Sequence, residues 1–569
     1  MSPSWILATA ALPAIVRAAT LDSICNVDYA VASLPEDDFY PGITIDKASV
    51  STAATTGYTA ESEWFPTTTI DYCNVTFAYS HDDIPGDVVH VSYWLPAPDN
   101  FKNRYISTGG GGLAINSGTS YIPSGVIVGG VSGITDGGFG SFNTQYDAAF
   151  FLANGSVNWE AVDMFGFKAH HELATLGKEF TKNLFNVTSC TKLFSYWQGC
   201  SEGGREGWSQ AQRYPEQFDG YAIGAPAFRY GEQQVNHLTS NVIEQTMDYY
   251  PPTCELDKIT NLTIAFCDPL DGLTDGVVSR SDLCKLAFNV SSTIGESYSC
   301  EASAGTPYSA ATPAQSGVVT AEGAAVAQAI LDGLYDSDGN FVYFSYQPGS
   351  TFTDAATAYN ETTDSWGLSI SGLGGEWVAR FLEFENTTTL DSLDGFSYDT
   401  LRDLMIQGTE LYNTSQQTTY PNLTSLNTAG VKILHIHGEQ DFSIPTASSV
   451  RYYDSVREYI YPQLGYNESV EALDNFYRLF LVPGGSHCTS FSYEANGGWP
   501  QTTLQTVINW VENGTAPGTL DNAGGTIDSI CKWPLRPLWD ADGTMTCVYD
   551  QASLDTWTYD IDAFPFYLY

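Results

Sequence analysis

The chain has 569 residues and a formal net charge of −44, from 66 Asp and Glu against 22 Lys and Arg. With 43% hydrophobic and only 15% charged residues it can bury a large core, which excludes an acidic disordered tail. The shortage of cations argues against a nucleic-acid partner and against an anionic membrane surface, both of which need clustered Lys and Arg.

The N-terminus carries an apolar run, Trp5 to Val16, followed by Arg17 and Ala18. Residues 1–18 are expected to be a secretory signal peptide cleaved after Ala18, although its leading segment has no basic side chain. The run is too short to span a bilayer. Two further features agree with secretion. Eleven Asn-x-Ser/Thr sequons offer candidate glycan sites: Asn74, Asn154, Asn186, Asn261, Asn289, Asn360, Asn386, Asn413, Asn422, Asn467 and Asn513. The eleven Cys lack a CxxC or a zinc-type spacing, so they read as a disulfide set with one thiol left over.

In chain order, Val88 to Leu95 is predicted as a strand. So is Arg104 to Thr108, which runs into four consecutive glycines, Gly109 to Gly112. Such a run reads as a loop whose backbone something approaches closely. Met164 to Asn183 is predicted helical. Lys192 to Gln198 is a buried strand entering Gly199-Cys200-Ser201-Glu202-Gly203, with a helical stretch from Trp208 to Arg213. Val431 to His437 is a strand ending in Gly438-Glu439-Gln440-Asp441, and a helical stretch follows near Ser448 to Tyr461. Leu479 to Val482 is a strand ending in Gly485-Ser486-His487-Cys488. Strands alternating with helices imply an α/β class with a mostly parallel sheet. Residues 228–410 break this rhythm with four sequons, four Cys and Gly/Ser/Thr-rich loops. They are expected to form a lid domain inserted between two parts of one α/β core, 19–227 and 411–569.

The segment 199–203 fits G-x-S-x-G, and its flanking strand and helix are what a nucleophile elbow requires. A Ser hydroxyl needs a base, and this fold places Asp or Glu and then His after later strands. Asp441 and His487 satisfy order and placement, with Glu439 a rival acid. His435 and His437 alternate on one strand face and read as core or supporting residues. The oxyanion hole would take the Glu202 N–H and a second donor from Gly110 or Gly111. Cys200 precedes Ser201 and Cys488 follows His487, so contact between Ser and His would bring the two Cys near enough to bridge.

A Cys-Ser…Asp…His-Cys constellation resembles the tannase and feruloyl esterase family of secreted α/β-hydrolases, nearest to its fungal tannase branch. The resemblance covers nearly the whole mature chain, through Asp71-Tyr-Cys-Asn-Val-Thr76, Gly199 to Gly207, Gly224-Ala-Pro-Ala-Phe228, Asp248-Tyr-Tyr-Pro-Pro252, Lys285 to Asn289 and Trp557-Thr-Tyr559. It implies Ser201 as nucleophile, His487 as base, Asp441 as its orienting acid and a Cys200–Cys488 disulfide. Galloyl esters, gallotannins and alkyl gallates, are the implied substrates. A hydroxycinnamate esterase on the same scaffold is the near alternative, because no motif reports pocket depth. A non-catalytic polyphenol or glycan binder is the distant one.

Within the lid, Asp268, Asp271 and Asp275 stand in eight residues with two Gly turns, a spacing of hard oxygen donors that suits Ca2+ or simply a solvated acidic turn. The resemblance implies a structural calcium held by these three acids and the carbonyls of Leu273 and Val277. Cys267 and Cys284 bracket this loop as an expected pair. Cys25–Cys73 and Cys531–Cys547 are the other expected bridges, and Cys190, Cys254 and Cys300 stay unassigned.

Overall fold

The computed structural model describes residues 20–152, 155–305, 311–567 and 569. The expected signal peptide and the Asn154 sequon lie outside them. Nine strands form one mixed sheet: β1 (Ile43–Ser62), β2 (Phe65–His81), β3 (Val89–Pro96), β4 (Arg104–Thr108), β5 (Gly130–Thr135), β6 (Phe194–Cys200), β7 (Gly220–Gly224), β8 (Lys432–Gly438) and β9 (Tyr477–Val482). Their spatial order is β1-β2-β3-β5-β4-β6-β7-β8-β9. From β5 to β9 the sheet is parallel, and β1, β2 and β3 join it antiparallel. The α/β class is therefore as the alternation of elements implies. Strand order doubles back at β4 and β5, which sets the ends of β4 and β6 side by side. A crevice opens outside the carboxyl ends of parallel strands at such a reversal.

Each face of the sheet carries its own apolar layer, because strand side chains alternate. On β8, Ile433 joins one layer while Leu434 and Ile436 join the other. The first layer packs under α1 (Ala169–Leu184) and α2 (Glu202–Arg213), the second under a C-terminal helix, Thr503–Asn513. The helix α2 begins at Glu202, six residues earlier than its sequence suggests. Gly204 and Gly207 lie inside it for packing reasons: a Cβ at Gly204 would sit 2.4 Å from the Gly224 carbonyl, and one at Gly207 2.5 Å from Trp197. The strands β5 and β7 are short, Gly-containing and buried throughout, so they lack the alternation that marks a half-exposed strand.

Among the described residues, 228–410 contribute no strand to the large sheet. They form helices and short antiparallel ribbons. A helix, Tyr398–Tyr412, runs across the expected 410/411 boundary, so the chain leaves this block after Tyr412. It packs on α3 (Tyr230–Asn236), where a Cβ on Gly231 would lie 2.6 Å from the Gly408 backbone.

Five disulfides close the chain: Cys25–Cys73, Cys200–Cys488, Cys254–Cys300, Cys267–Cys284 and Cys531–Cys547. The free thiol is Cys190, exposed at the surface. Nine of the sequon asparagines are exposed, while Asn74 is half-buried on β2 and accepts the Ser92 hydroxyl at 2.7 Å.

At the end of β2, His81 joins two elements. Its Nδ1 lies 2.7 Å from Asp87 and its Nε2 2.9 Å from Glu172 on α1. The bonds to Asp87 and Glu172 outweigh burial and raise the His81 pKa to about 9. A raised histidine pKa stabilises the fold fully below its unfolded value, near 6.5, and the contribution disappears as pH rises through 9. The melting temperature of the wild type should therefore fall more steeply between those two limits than that of His81→Gln. Equal slopes in a pH series of thermal melts would contradict this role.

Candidate active site

The strand β6 ends at Cys200, and Ser201 turns directly into α2. Ser201 sits at φ 62°, ψ −122°, a backbone conformation that L-residues rarely adopt. Its side chain makes no capping bond to the helix it precedes, so the hydroxyl is available to a base. The neighbouring glycines are required by contact. A Cβ at Gly199 would stand 2.6 Å from the Gly203 carbonyl, and one at Gly203 would stand 2.9 Å from the Gly110 carbonyl. The glycine loop after β4 thus lies directly against the start of α2, and Gly203 N–H donates to the Gly110 carbonyl at 3.1 Å.

His487 follows β9 and points its Nε2 at Ser201 Oγ, 2.9 Å away. Its Nδ1 is 2.8 Å from Asp441 Oδ2, just beyond β8. Asp441 is fully buried. Burial opposes its charge, but His487 and His437 prevail and hold its carboxyl well below the usual range. The N–H groups of Ser443 and Ile444 donate to its other oxygen, at 2.8 and 2.9 Å. The rival acid, Glu439, accepts from Arg536 at 2.6 and 2.7 Å and from the Ser281 hydroxyl at 2.6 Å, and these bonds engage both its oxygens. Cys200 and Cys488 are disulfide-bonded, with Cα atoms 6.0 Å apart. The structure thus brings together Ser201, His487, Asp441 and both cysteines from three distant segments.

Glu202 is the first residue of α2, and its N–H has no carbonyl a turn earlier to accept it. The second donor is expected from Gly110 or Gly111, and both N–H groups have partners within the protein. Gly110 N–H donates to the buried Glu206 carboxylate at 2.8 Å, and Gly111 N–H donates to the Ala114 carbonyl at 3.0 Å. Of the glycine run, Gly112, at φ 60°, lines the cavity at Ser201.

That cavity is small, about 20 Å³, roughly the space of one water. Its remaining wall includes Tyr230, Gln233 and Gln234 from α3, His237 just after it, Leu373, and Ser443 with Ile444. His237 Nδ1 bonds Asp354 at 2.8 Å, and Asp354 also accepts from Tyr346 and Ser371, at 2.8 and 2.9 Å. The side-chain carbonyls of Gln233 and Gln234 are buried and accept no hydrogen bond. No sequence motif marks these residues, since isolated Gln, Tyr and His have no diagnostic spacing. A wider groove of about 700 Å³ near Tyr214 and Thr424 touches none of them.

In the acidic loop, each carboxylate caps a backbone N–H: Asp268 takes Asp275, Asp271 takes Leu273 and Asp275 takes Val277, at 2.9, 2.8 and 3.1 Å. Thr526 also donates its hydroxyl to Asp275. Among the described residues no three His, Cys, Asp or Glu side chains converge on a point that would hold a metal. One observation nevertheless fits a hard cation. Asp271 Oδ2 is buried without a partner, and burial together with the Asp275 and Asp268 charges raises this carboxyl to about 6. Carboxylate and carbonyl oxygens on a tight turn are also the chemistry that Ca2+ takes.

The chain is similar to known proteins over most of its length. The family model described as tannase and feruloyl esterase matches residues 73–554. A tannase of Aspergillus oryzae is 43% identical, the match covering 99% of each chain. A probable feruloyl esterase of Arthroderma benhamiae is 30% identical over 83% of this chain and 84% of its own. The solved structure of a tannin acyl hydrolase from Aspergillus niger superposes with a TM-score of 0.94 at 53% identity, covering 97% of this chain and all of that one. Feruloyl esterase B from Aspergillus oryzae shares the fold, with a TM-score of 0.67 at 24% identity over 90% of this chain and 97% of its own.

The disulfide beside the site closes a loop of 288 residues, for which chain entropy assigns at most about 5 kcal/mol. The double variant Cys200→Ser, Cys488→Ser should therefore melt several degrees lower. It should also lose esterase turnover at temperatures where it is still folded, because His487 would no longer be tied to Ser201. Full turnover with only a lowered melting temperature would limit the bond to stability.

Proposed function

The chain belongs to the tannase and feruloyl esterase family of carboxylic ester hydrolases, and we propose that it is a secreted serine esterase that cleaves galloyl esters and depsides of tannins and alkyl gallates. The observation that carries this reading is the Ser201–His487–Asp441 hydrogen-bonded series facing a cavity walled by polar side chains. Ser201 Oγ attacks the ester carbonyl as His487 Nε2 takes its proton. Asp441 holds His487 in the tautomer that accepts at Nε2 and stabilises the imidazolium. The Glu202 N–H at the start of α2, with a second donor from the glycine loop that lines the cavity at Gly112, would stabilise the developing oxyanion. His487 then returns the proton to the leaving alcohol, and water resolves the galloyl-enzyme by the same steps in reverse order.

Support for a polyhydroxylated ring comes from the unpartnered carbonyls of Gln233 and Gln234, which are acceptors suited to phenolic hydroxyl donors. His237, oriented by Asp354, stands beside them. The cavity beside Ser201 holds about one water, so a galloyl ring would need the wall formed by residues such as Leu373, from the expected lid 228–410, to give way. Residues 1–18 are the signal peptide, and the exposed sequons carry glycans. No helix among the described residues is long and apolar enough to cross a membrane. The partners are small aromatic esters.

A structural Ca2+ is part of the same reading. Asp268, Asp271 and Asp275, with the Leu273 and Val277 carbonyls, would hold it. When bound, the ion cross-links the turn between Cys267 and Cys284 and offsets charge that Asp271 otherwise buries alone.

Two experiments test these roles. Wild type should turn over methyl gallate faster than methyl ferulate, and Ser201→Ala should lose on the order of 10⁴-fold or more in kcat on both. No wild-type turnover of either ester sinks the esterase, and a preference for ferulate sinks the galloyl assignment. Chelation should lower the melting temperature by several degrees, with recovery on adding Ca2+; an unchanged melt removes the ion from the account.

A further inference from the structure

A series of buried polar groups extends behind Asp441, and the mechanism above does not use it. His437 Nε2 is 3.1 Å from Asp441 Oδ2 and 3.0 Å from the Ile444 carbonyl. Its Nδ1 is 2.6 Å from Ser449 Oγ, on the helix Thr446–Ile460. Ser449 Oγ is 2.9 Å from His435 Nε2, and His435 Nδ1 is 2.8 Å from the Tyr477 hydroxyl. Every one of these side chains is fully buried.

The two ends fix the direction of the series. At the Asp441 end both partners of His437 Nε2 are acceptors, so this nitrogen carries a proton. At the far end the Tyr477 hydroxyl has only His435 to receive its proton among the described residues, so it donates there. The protons then order themselves without conflict. Tyr477 donates to His435 Nδ1, His435 Nε2–H donates to Ser449, Ser449 donates to His437 Nδ1, and His437 Nε2–H donates to Asp441. The reverse order would leave a buried phenol proton unpaired, which is costly. Burial also holds His435 well below the ordinary histidine range, as a neutral link requires.

We propose that His437 is a positioning residue, the last link of a directed relay from Tyr477 that supplies one fixed donor to Asp441 Oδ2. This oxygen is the one that also binds His487, so the relay sets how much carboxylate charge reaches the base. The inference rests on reading Ser201, His487 and Asp441 as catalytic. The titratable or polar groups facing the His437–Asp441 contact are His487 from the loop after β9, His435 on β8, Tyr477 on β9 and Ser449. Tyr346, from the 228–410 block, also feels the charge of Asp441.

Removing the donor should let Asp441 hold the proton on His487 more tightly. In His437→Leu the acid limb of the kcat/KM profile should move up by about one pH unit, and kcat should fall about tenfold with KM little changed. His437→Gln, which keeps an amide N–H, should recover most of both. Ser449→Ala should move the limb the same way by less. A neutron structure of the wild type should place deuterium on His437 Nε2 and none on Nδ1. Deuterium on Nδ1 overturns the relay, as does an unmoved acid limb in whichever of His437→Leu and Ser449→Ala folds. The profiles are measured on whichever ester the wild type cleaves. If Ser201→Ala keeps its turnover, it is the assignment of the nucleophile that has failed.

Discussion

The site depends on the contact of two backbones with no side chain between them. The strands β4 and β6 are neighbours, so the loop leaving one and the elbow leaving the other run side by side, with Gly110 against Gly203. Ser201 occupies its positive φ only because this packing over-determines it, against a strain of about 1–3 kcal/mol. Glu206, a turn further along α2, accepts Gly110 N–H and holds the loop to the helix that follows Ser201. The Cys200–Cys488 bond then attaches the loop of His487 to the other side of the elbow. Ser201, the glycine loop and His487 are thus fixed to one short stretch of main chain, residues 199–206.

Charge is distributed in a way that the overall composition conceals. The chain has few cations, yet Arg205, Arg229, Arg280 and Arg536 are among its most deeply buried side chains. Each is multiply bonded. Arg205 forks onto Glu202 and the carbonyls of Phe165 and Gly166, while Arg536 joins Glu439 to Asp282. Drawing scarce cations inward pairs buried acids such as Glu202, Asp282 and Glu439, each of which would otherwise carry an unpaired charge out of water. This internal pairing also separates two carboxylates only two residues apart. Arg536 takes Glu439, and Asp441 is left to face His487.

Much of this was legible in the sequence, for reasons particular to each element. The strands before Ser201, Asp441 and His487 are short, mostly apolar runs ending in glycine-containing turns, and such runs are recognisable because burial on both faces favours apolar residues. The acidic turn at 268–275 and the elbow are local motifs with short, readable spacing. The start of α2 was hidden, because Gly203, Gly204 and Gly207 look like breakers until their close neighbours are known. The hairpin of β1 and β2 was hidden by its mixed, partly exposed character. Which glycine of the run lines the cavity was hidden for a different reason. Four identical residues in a row carry no information about which N–H groups later elements will engage.

The sequence by itself determined the chemistry available: a serine on an elbow, an acid and a histidine after later strands, cysteines flanking two of them, and acids clustered on one turn. These are encoded locally, in residue type and short spacing, so no distant contact is needed to read them. Only the tertiary structure decided which groups meet. It paired Cys254 with Cys300 and left Cys190 free, engaged Gly110 and Gly111 elsewhere, and brought α3 with its two glutamines to the cavity wall. It also aligned Tyr477, His435, Ser449 and His437 behind Asp441. Each of these outcomes depends on segments far apart in the chain, and the distance between such segments is set by packing.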